Sequence, residues 1–242
     1  MDDLKIFDRN SFQTSEPQTN DMSVITRLFK TTYMWMALAL AITGICAYLG
    51  SHNAAIIKFL FGNAFVIIIL AVSELVLVGV LSFRIFKMSY RTATLLFMAY
   101  AILNGFTMSS IFLVYTKSSI ASTFFISAAM FAVTSIMGFI TQMDLSKIGN
   151  ILLMALIGLI IASIVNIFLH SSRLDWICTI VGVLIFSGLT VYDTQKLKDV
   201  YSSPEYDVEQ EGRKFALLGA LSLYLDFINI FLYLLRIFGK RN

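Results

Sequence analysis

Charge is scarce in this 242-residue chain: acidic and basic side chains make up 14% of it, against about 25% in soluble domains. Hydrophobic residues make up 58% and lie in long uninterrupted blocks, so mean hydropathy is strongly positive and a water-soluble fold is excluded. A net charge of +3 is too small to argue for nucleic acid. The two cysteines, Cys46 and Cys178, sit inside apolar blocks and read as small buried hydrophobes rather than a disulfide. Motifs of hydrolytic, phosphoryl-transfer and redox chemistry are also missing. There is no HExxH, P-loop, GxSxG, CxxC or dinucleotide fingerprint, so enzymatic function has no positive support. His52 and His170 fall at helix ends and read as solvated rather than as ligands.

A hydrocarbon core about 30 Å thick needs about 20 helical residues. Seven blocks of that length stand between polar breaks, near Thr31–Gly50, Ala64–Phe83, Thr92–Tyr115, Ala121–Thr141, Ile148–His170, Trp176–Tyr192 and Phe215–Phe238. The expected fold is therefore an all-α integral membrane bundle of seven transmembrane helices over residues 29–242. Residues 1–28 form a polar N-terminal tail, too rich in Ser, Thr, Asn and Gln to bury and lacking the basic start of a secretory signal. Pro17 and Pro204 lie outside the blocks, which favours straight helices. Small residues at four-residue spacing, Ala37 and Ala41, Ala128 and Ala132, Gly158 and Ala162, mark close helix packing.

Orientation follows from the basic residues in the connections. With the N-terminus in the cytosol, the inner segments hold Lys5, Arg9, Arg27, Lys30, Arg84, Lys87, Arg91, Lys147, Lys196, Lys198, Arg213 and Lys214. The outer loops hold Lys58, Lys117 and Arg173. Arg236, Lys240 and Arg241 run against this bias, which leaves a full seventh span or a re-entrant last segment.

Three carboxylates fall inside or at the edge of apolar blocks, where each costs about 2.5–3.5 kcal/mol on insertion scales. Glu74 lies mid-block in the second, Asp193 ends the sixth, and Asp226 is central in the seventh. Ser222, Asp226, Asn229, Tyr233 and Arg236 follow at spacings of four, three, four and three, and so share one helical face. That face either borders water in the bundle interior or forms a hydrogen-bonded packing seam. Two acids in one low-dielectric site cannot both ionise cheaply and tend to share a proton, so Asp193 with Asp226 would make a pH-biased gate. Glu74 either pairs with a base or lines the same cavity. Arg84 either latches Asp193 at the inner membrane face or merely snorkels. The acidic stretch with Glu205, Asp207, Glu209 and Glu211 lacks the EF-hand pattern and reads as a solvated loop.

The stretch Ser222–Gly239, SLYLDFINIFLYLLRIFG, resembles the closing helix of the Bax inhibitor-1 family, as does Tyr192–Leu197, YDTQKL, at the end of the sixth block. The number and placement of blocks resembles that family from about Val24 onward. The resemblance implies a central C-terminal helix and, in bacterial members, a pH-sensitive calcium leak with no cofactor beyond the calcium ion it passes. It implies that Asp193, Asp226 and Arg84 form the sensor and gate and that Glu74 is the membrane-buried glutamate of the second helix; with Asn229 and Ser222 of the polar face, Glu74 is the candidate lining of the ion pathway. Asp193, Asp226 and Glu74 would be the carboxylates that meet the metal ion. Some bacterial relatives instead restrain a membrane-anchored AAA protease, a role for which the N-terminal tail would be the handle; transport of another small solute is a third reading. The implied partners are the lipid bilayer, calcium ions and such a membrane protease. The short C-terminal tail and the polar N-terminal extension point to a bacterial plasma membrane.

Overall fold

The computed structural model describes residues 22–203 and 208–242, the latter with side chains from 211. The polar tail up to residue 21 and Glu205 and Asp207 of the acidic stretch lie outside the described residues. Among the described residues nine α-helices follow in order: α1 (Met22–Ser51), α2 (Ala54–Phe61), α3 (Ala64–Arg84), α4 (Tyr90–Met108), α5 (Ile111–Val114), α6 (Lys117–Ile140), α7 (Ser146–Leu169), α8 (Ser172–Ser202) and α9 (Val208–Phe238). Seven helical segments among the described residues are long and apolar enough to cross a membrane, with α4 and α5 counting as one. They alternate in direction. The end at which α1 begins is called the near end below, and the opposite end the far end.

Helix ends coincide with side chains that serve the free amide groups there. Asn53, Asn63, Ser89, Thr116 and Ser171 each accept a backbone N–H from the first turn of the helix that follows. Asn53 and Asn63 thereby set off α2, a two-turn apolar helix too short to span that the blockwise reading merged into a connection. The third block breaks at Ser109, whose hydroxyl bonds back to Phe106 O at 2.6 Å and whose Cβ lies against Gly50 of α1.

α9 is the axis of the bundle, packed against α1, α4, α6 and α8, while α3 rests mainly on α4 and α7 mainly on α8. Tyr224, Leu217, Leu223, Ile230 and Leu235 of α9 are fully enclosed. A second, smaller core at the near end joins Leu28 and Phe29 of α1 to Tyr201 of α8 and Ala216 of α9, and Thr32 bonds the Tyr201 hydroxyl at 2.7 Å. This cluster explains two boundary corrections. α1 starts at Met22, inside the stretch assigned to the tail, because Leu28 and Phe29 have a place to bury. α8 runs on to Ser202 rather than stopping near Tyr192, because Leu197 and Tyr201, four residues apart, extend its inward face past the apolar block. Hydropathy measures the span; it does not measure the helix.

The far end decides the fate of the last segment. Phe238 O accepts from the Ser119 hydroxyl, Lys240 N donates to Ser119 Oγ at 2.8 Å, and Arg241 bridges Tyr115. Thr116 N donates to Lys240 O and Asn242 N to Val114 O. α9 therefore crosses the whole bundle and is not re-entrant.

The small-residue seams differ from those expected. Ala37, Ala41, Ala132 and Gly158 face outward, and a Cβ on Gly158 would meet nothing. The close approaches use residues one or two places away. On α1 the buried face is Thr32, Met36, Ala39, Thr43, Ala47 and Gly50, and on α6 it is Ser119, Thr123, Ser127, Phe131, Ser135 and Gly138. Gly105 of α4 sits so close to Cys46 and Thr43 that a Cβ would stand 2.6 Å from that of Cys46. Several of the small hydroxyls bond a carbonyl one turn back, as Ser127 does to Thr123 O and Thr32 to Leu28 O, so they pack as compact side chains without an unmet donor. An alanine scan of the sequence misses them because Ser and Thr count as polar.

Candidate functional site

All five residues of the α9 stripe line one cavity of about 790 Å³ between α7, α8 and α9. α8 contributes Asp175, Cys178, Phe186, Leu189 and Asp193; α7 contributes a leucine and isoleucine wall with Ser163 and Asn166. The face read from spacing alone as either wet or a packing seam therefore borders open space. Helix geometry accounts for this: alternating steps of four and three hold the polar groups in a line, and the remaining faces of α9 are taken by apolar contacts with α1, α4 and α6.

Asp226 sits at mid-height with 4% of its surface exposed. Its Oδ2 is buried and has no hydrogen-bond partner in the protein. Such a group costs about 1–3 kcal/mol, more when charged, unless something in the cavity serves it. Asp193 of α8 lines the same cavity, with Ser222 and Lys196 beside it, so the two carboxylates border one space. Asp193 is in the interior of α8, nine residues before its end, so the helix runs on past the apolar block that Asp193 closes. Asn229 donates its amide to Leu225 O at 2.8 Å, one turn back.

At the far mouth Arg236 pairs with Asp175 at 3.6 Å and lies over the Tyr233 ring at 5.5 Å. Both charged side chains are half exposed, so the pair contributes little to stability. Tyr233 stacks on Phe186 with ring centres 5.9 Å apart and packs against Gly182, where a Cβ would stand 2.6 Å from the ring. Sequence reasoning missed this cap. Asp175 fell just before the block that began at Trp176, and the signal available was its place in the first turn of a helix capped by Ser171.

Glu74 is elsewhere. Its carboxylate accepts from Thr107 Oγ1 at 2.6 Å and from Asn104 Nδ2 at 3.3 Å, both on α4. Asn104 Oδ1 in turn accepts from the Tyr224 hydroxyl at 3.0 Å, and that hydroxyl lies 2.7 Å from Thr43 Oγ1 of α1. Glu74 thus anchors a polar network that ties α3, α4, α9 and α1 together. Its neighbour Leu75 is the residue that reaches the cavity wall. The expectation that Glu74 pairs with a base or lines the pathway beside the aspartates is corrected accordingly: its partners are neutral donors, one turn apart on α4. Among the described residues no group of three or more His, Cys, Asp or Glu side chains is placed to hold a metal ion; Glu74 meets donors of α4, apart from the cavity that Asp193 and Asp226 line.

Arg84 is exposed at the near end of α3. The next residue, Ile85, turns into the core with 1% exposure, so the chain points its apolar side chain inward and leaves the guanidinium outside. The ion pair found among the described residues is Arg236 with Asp175; the expected latch between Arg84 and Asp193 is not formed in this structure. His52 bonds Tyr48 O and approaches Lys117 Nζ at 3.4 Å, and His170 ends α7 in a left-handed turn. Cys46 and Cys178 are both free.

The sequence matches the family described as inhibitor of apoptosis-promoting Bax1 over residues 25–242. It is 50% identical over 210 residues to inner membrane protein YbhL of Escherichia coli strain K12, covering 87% of this chain and 90% of that protein. An uncharacterized protein of Borreliella burgdorferi is 43% identical over 207 residues, 86% of this chain and 89% of the relative. One from Rickettsia prowazekii is 41% identical over 230 residues, 95% of each.

Proposed function

The chain belongs to the Bax inhibitor-1 family of multi-pass membrane proteins, and from that premise we propose that it is a pH-sensitive, calcium-permeable leak in an inner membrane, gated by Asp193 and Asp226. The observation that carries this reading is the buried, partnerless Oδ2 of Asp226 on a cavity shared with a second carboxylate. An acid at that depth is expensive unless a proton or a cation serves it. With one proton between them the two carboxylates hold α8 against α9; when both are charged, repulsion favours separation. Ser222 and Asn229 add neutral oxygen ligands of the kind calcium takes. Glu74 acts on the gate through the Asn104–Tyr224 network rather than as a ligand.

The proposed orientation places the N-terminus and the loop between α8 and α9 in the cytosol, where ten of the basic residues named above for that side fall within the described residues. A reporter inserted in that loop should read as cytosolic. The protease-restraining alternative turns on residues 1–21, outside the described part of the chain. Calcium release from liposomes containing the purified protein alone tests the leak. Release above that of empty liposomes supports it; identical rates refute it and leave the regulatory reading.

A further inference from the structure

The cavity is much larger than an ion requires. A calcium ion with six to eight oxygens around it needs on the order of 200–250 Å³, taking about 30 Å³ per water. The space here is about 790 Å³, and beside the polar stripe of α9 and Ser163 and Asn166 of α7 its wall is mostly leucine and isoleucine, with Leu156 of α7, Leu189 of α8 and Leu225 of α9 among them. That size and lining are those of an organic ligand site, apolar over much of its wall with a few polar groups to fix a headgroup.

The wall also reaches the bilayer. Leu75 of α3 is 72% exposed, and Ile160 and Ile164 of α7 are 50% and 52% exposed, yet all three line the cavity. α3 packs mainly on α4 and α7 mainly on α8, so side chains that line the cavity also stand exposed on two apolar helices of spanning length, where lipid chains would reach them. At the cavity's ends stand Arg236, paired with Asp175, at the far mouth and Lys196 beside Asp193 toward the near end.

We propose that this cavity binds a lipophilic primary amine that enters from the bilayer between α3 and α7, sets its ammonium group on Asp226 and Asp193, and lays its chain along the leucine wall. The chemistry selects the headgroup. A carboxylate or phosphate would meet two acids, a neutral alcohol offers a single donor, and an ammonium brings three N–H donors and a compensating charge to the unpartnered Oδ2 of Asp226. The inference rests on the reading of the aspartate pair as a cation site and names a ligand class for it. Amine and calcium then compete.

The test is equilibrium binding of radiolabelled decylamine to the full-length protein in phosphatidylcholine nanodiscs, with binding to empty discs subtracted to remove partitioning. The expected result is saturable binding at one site per chain, displaced at least about tenfold more weakly by decanol than by unlabelled decylamine. Asp226→Asn should weaken it by about tenfold or more, and Leu156→Trp, which fills the cavity without touching the acids, should abolish it. If Asp226→Asn does not fold, the decanol comparison and Leu156→Trp decide. Binding no greater than to empty discs, or indifferent to headgroup and cavity filling, overturns the proposal. Calcium flux from the same preparation separates the two readings: flux without amine binding removes only the amine site, and amine binding without flux removes the leak and keeps the site.

Discussion

α7 and α9 are both long apolar helices, yet 67% of the apolar stretch of α9 is buried and only 6% of that of α7. The buried helix is the more polar of the two. In water the opposite would hold, but lipid is as apolar as leucine, so an apolar helix gains nothing by leaving it, whereas one with an aspartate, an asparagine and an arginine on one face must find polar company. α7 accordingly presents Ile157, Ile161 and Phe168 outward and touches the bundle along one edge. α9 gives one face to a cavity and the rest to four neighbours.

The sharpest way to break this comparison is to add volume to a helix of each kind. A Cβ on Gly138, in the buried seam of α6, would run into the backbone carbonyl of Val191 on α8, which cannot yield, whereas one on Gly158 of α7 meets nothing. Gly138→Val is expected to cost at least about 1–3 kcal/mol and lower the yield of monodisperse protein; Gly158→Val should lie within about 0.5 kcal/mol of the parent in thermal unfolding. Equal effects would mean that the two helices are not differently enclosed.

A smaller effect distinguishes hydrogen bonds between helices from those within one. Tyr224→Phe removes the hydroxyl that faces Asn104 Oδ1 and Thr43, and should cost about 1 kcal/mol, near the upper part of the range for interhelical bonds in membranes. Ser163→Ala on α7 removes only a bond to Leu159 O of the same helix and should leave thermal unfolding unchanged. The pair of melting curves checks the difference.

These contrasts also explain what the sequence could and could not reveal. Seven spans and the polar face of α9 were legible because block length and a repeat of three and four are properties of a single helix. The alternatives for that face stayed open because the wall opposite Asp226 comes from α7, some 60 residues earlier, which leaves no local trace. Glu74 and Arg84 were displaced from their expected roles for the same reason. Height along a helix is readable from residue number, but the direction in which a side chain points depends on the partner, here Thr107 and Asn104 for Glu74 and the inward turn of Ile85 for Arg84. Asp175 was lost because a hydropathy block begins later than its helix.

The smallest effect lies outside the membrane, at the start of α7. Asp144 is fully exposed, and the hydroxyl and amide of Ser146 hold its carboxyl below the usual carboxylate range. Because the folded state favours the charged form, its contribution is complete above the unfolded value of about 4 and is lost as pH falls through the lower folded value. Amide exchange in the first turn of α7 should therefore quicken slightly below about pH 4 in the parent, and Asp144→Ala should exchange at that faster rate at neutral pH. The core of α9 should not respond to Asp144→Ala.

The central claim is that Asp193 and Asp226 act as one titrating unit on the cavity. Calcium flux from liposomes, measured across a pH series for the parent, Asp193→Asn and Asp226→Asn, tests it most directly, since the amide keeps size and some hydrogen bonding while removing the shared proton. The account predicts a steep pH-dependent step in the parent and a shifted or flattened one in each variant. A parent whose flux ignores pH, or variants that keep its midpoint and steepness, would contradict it.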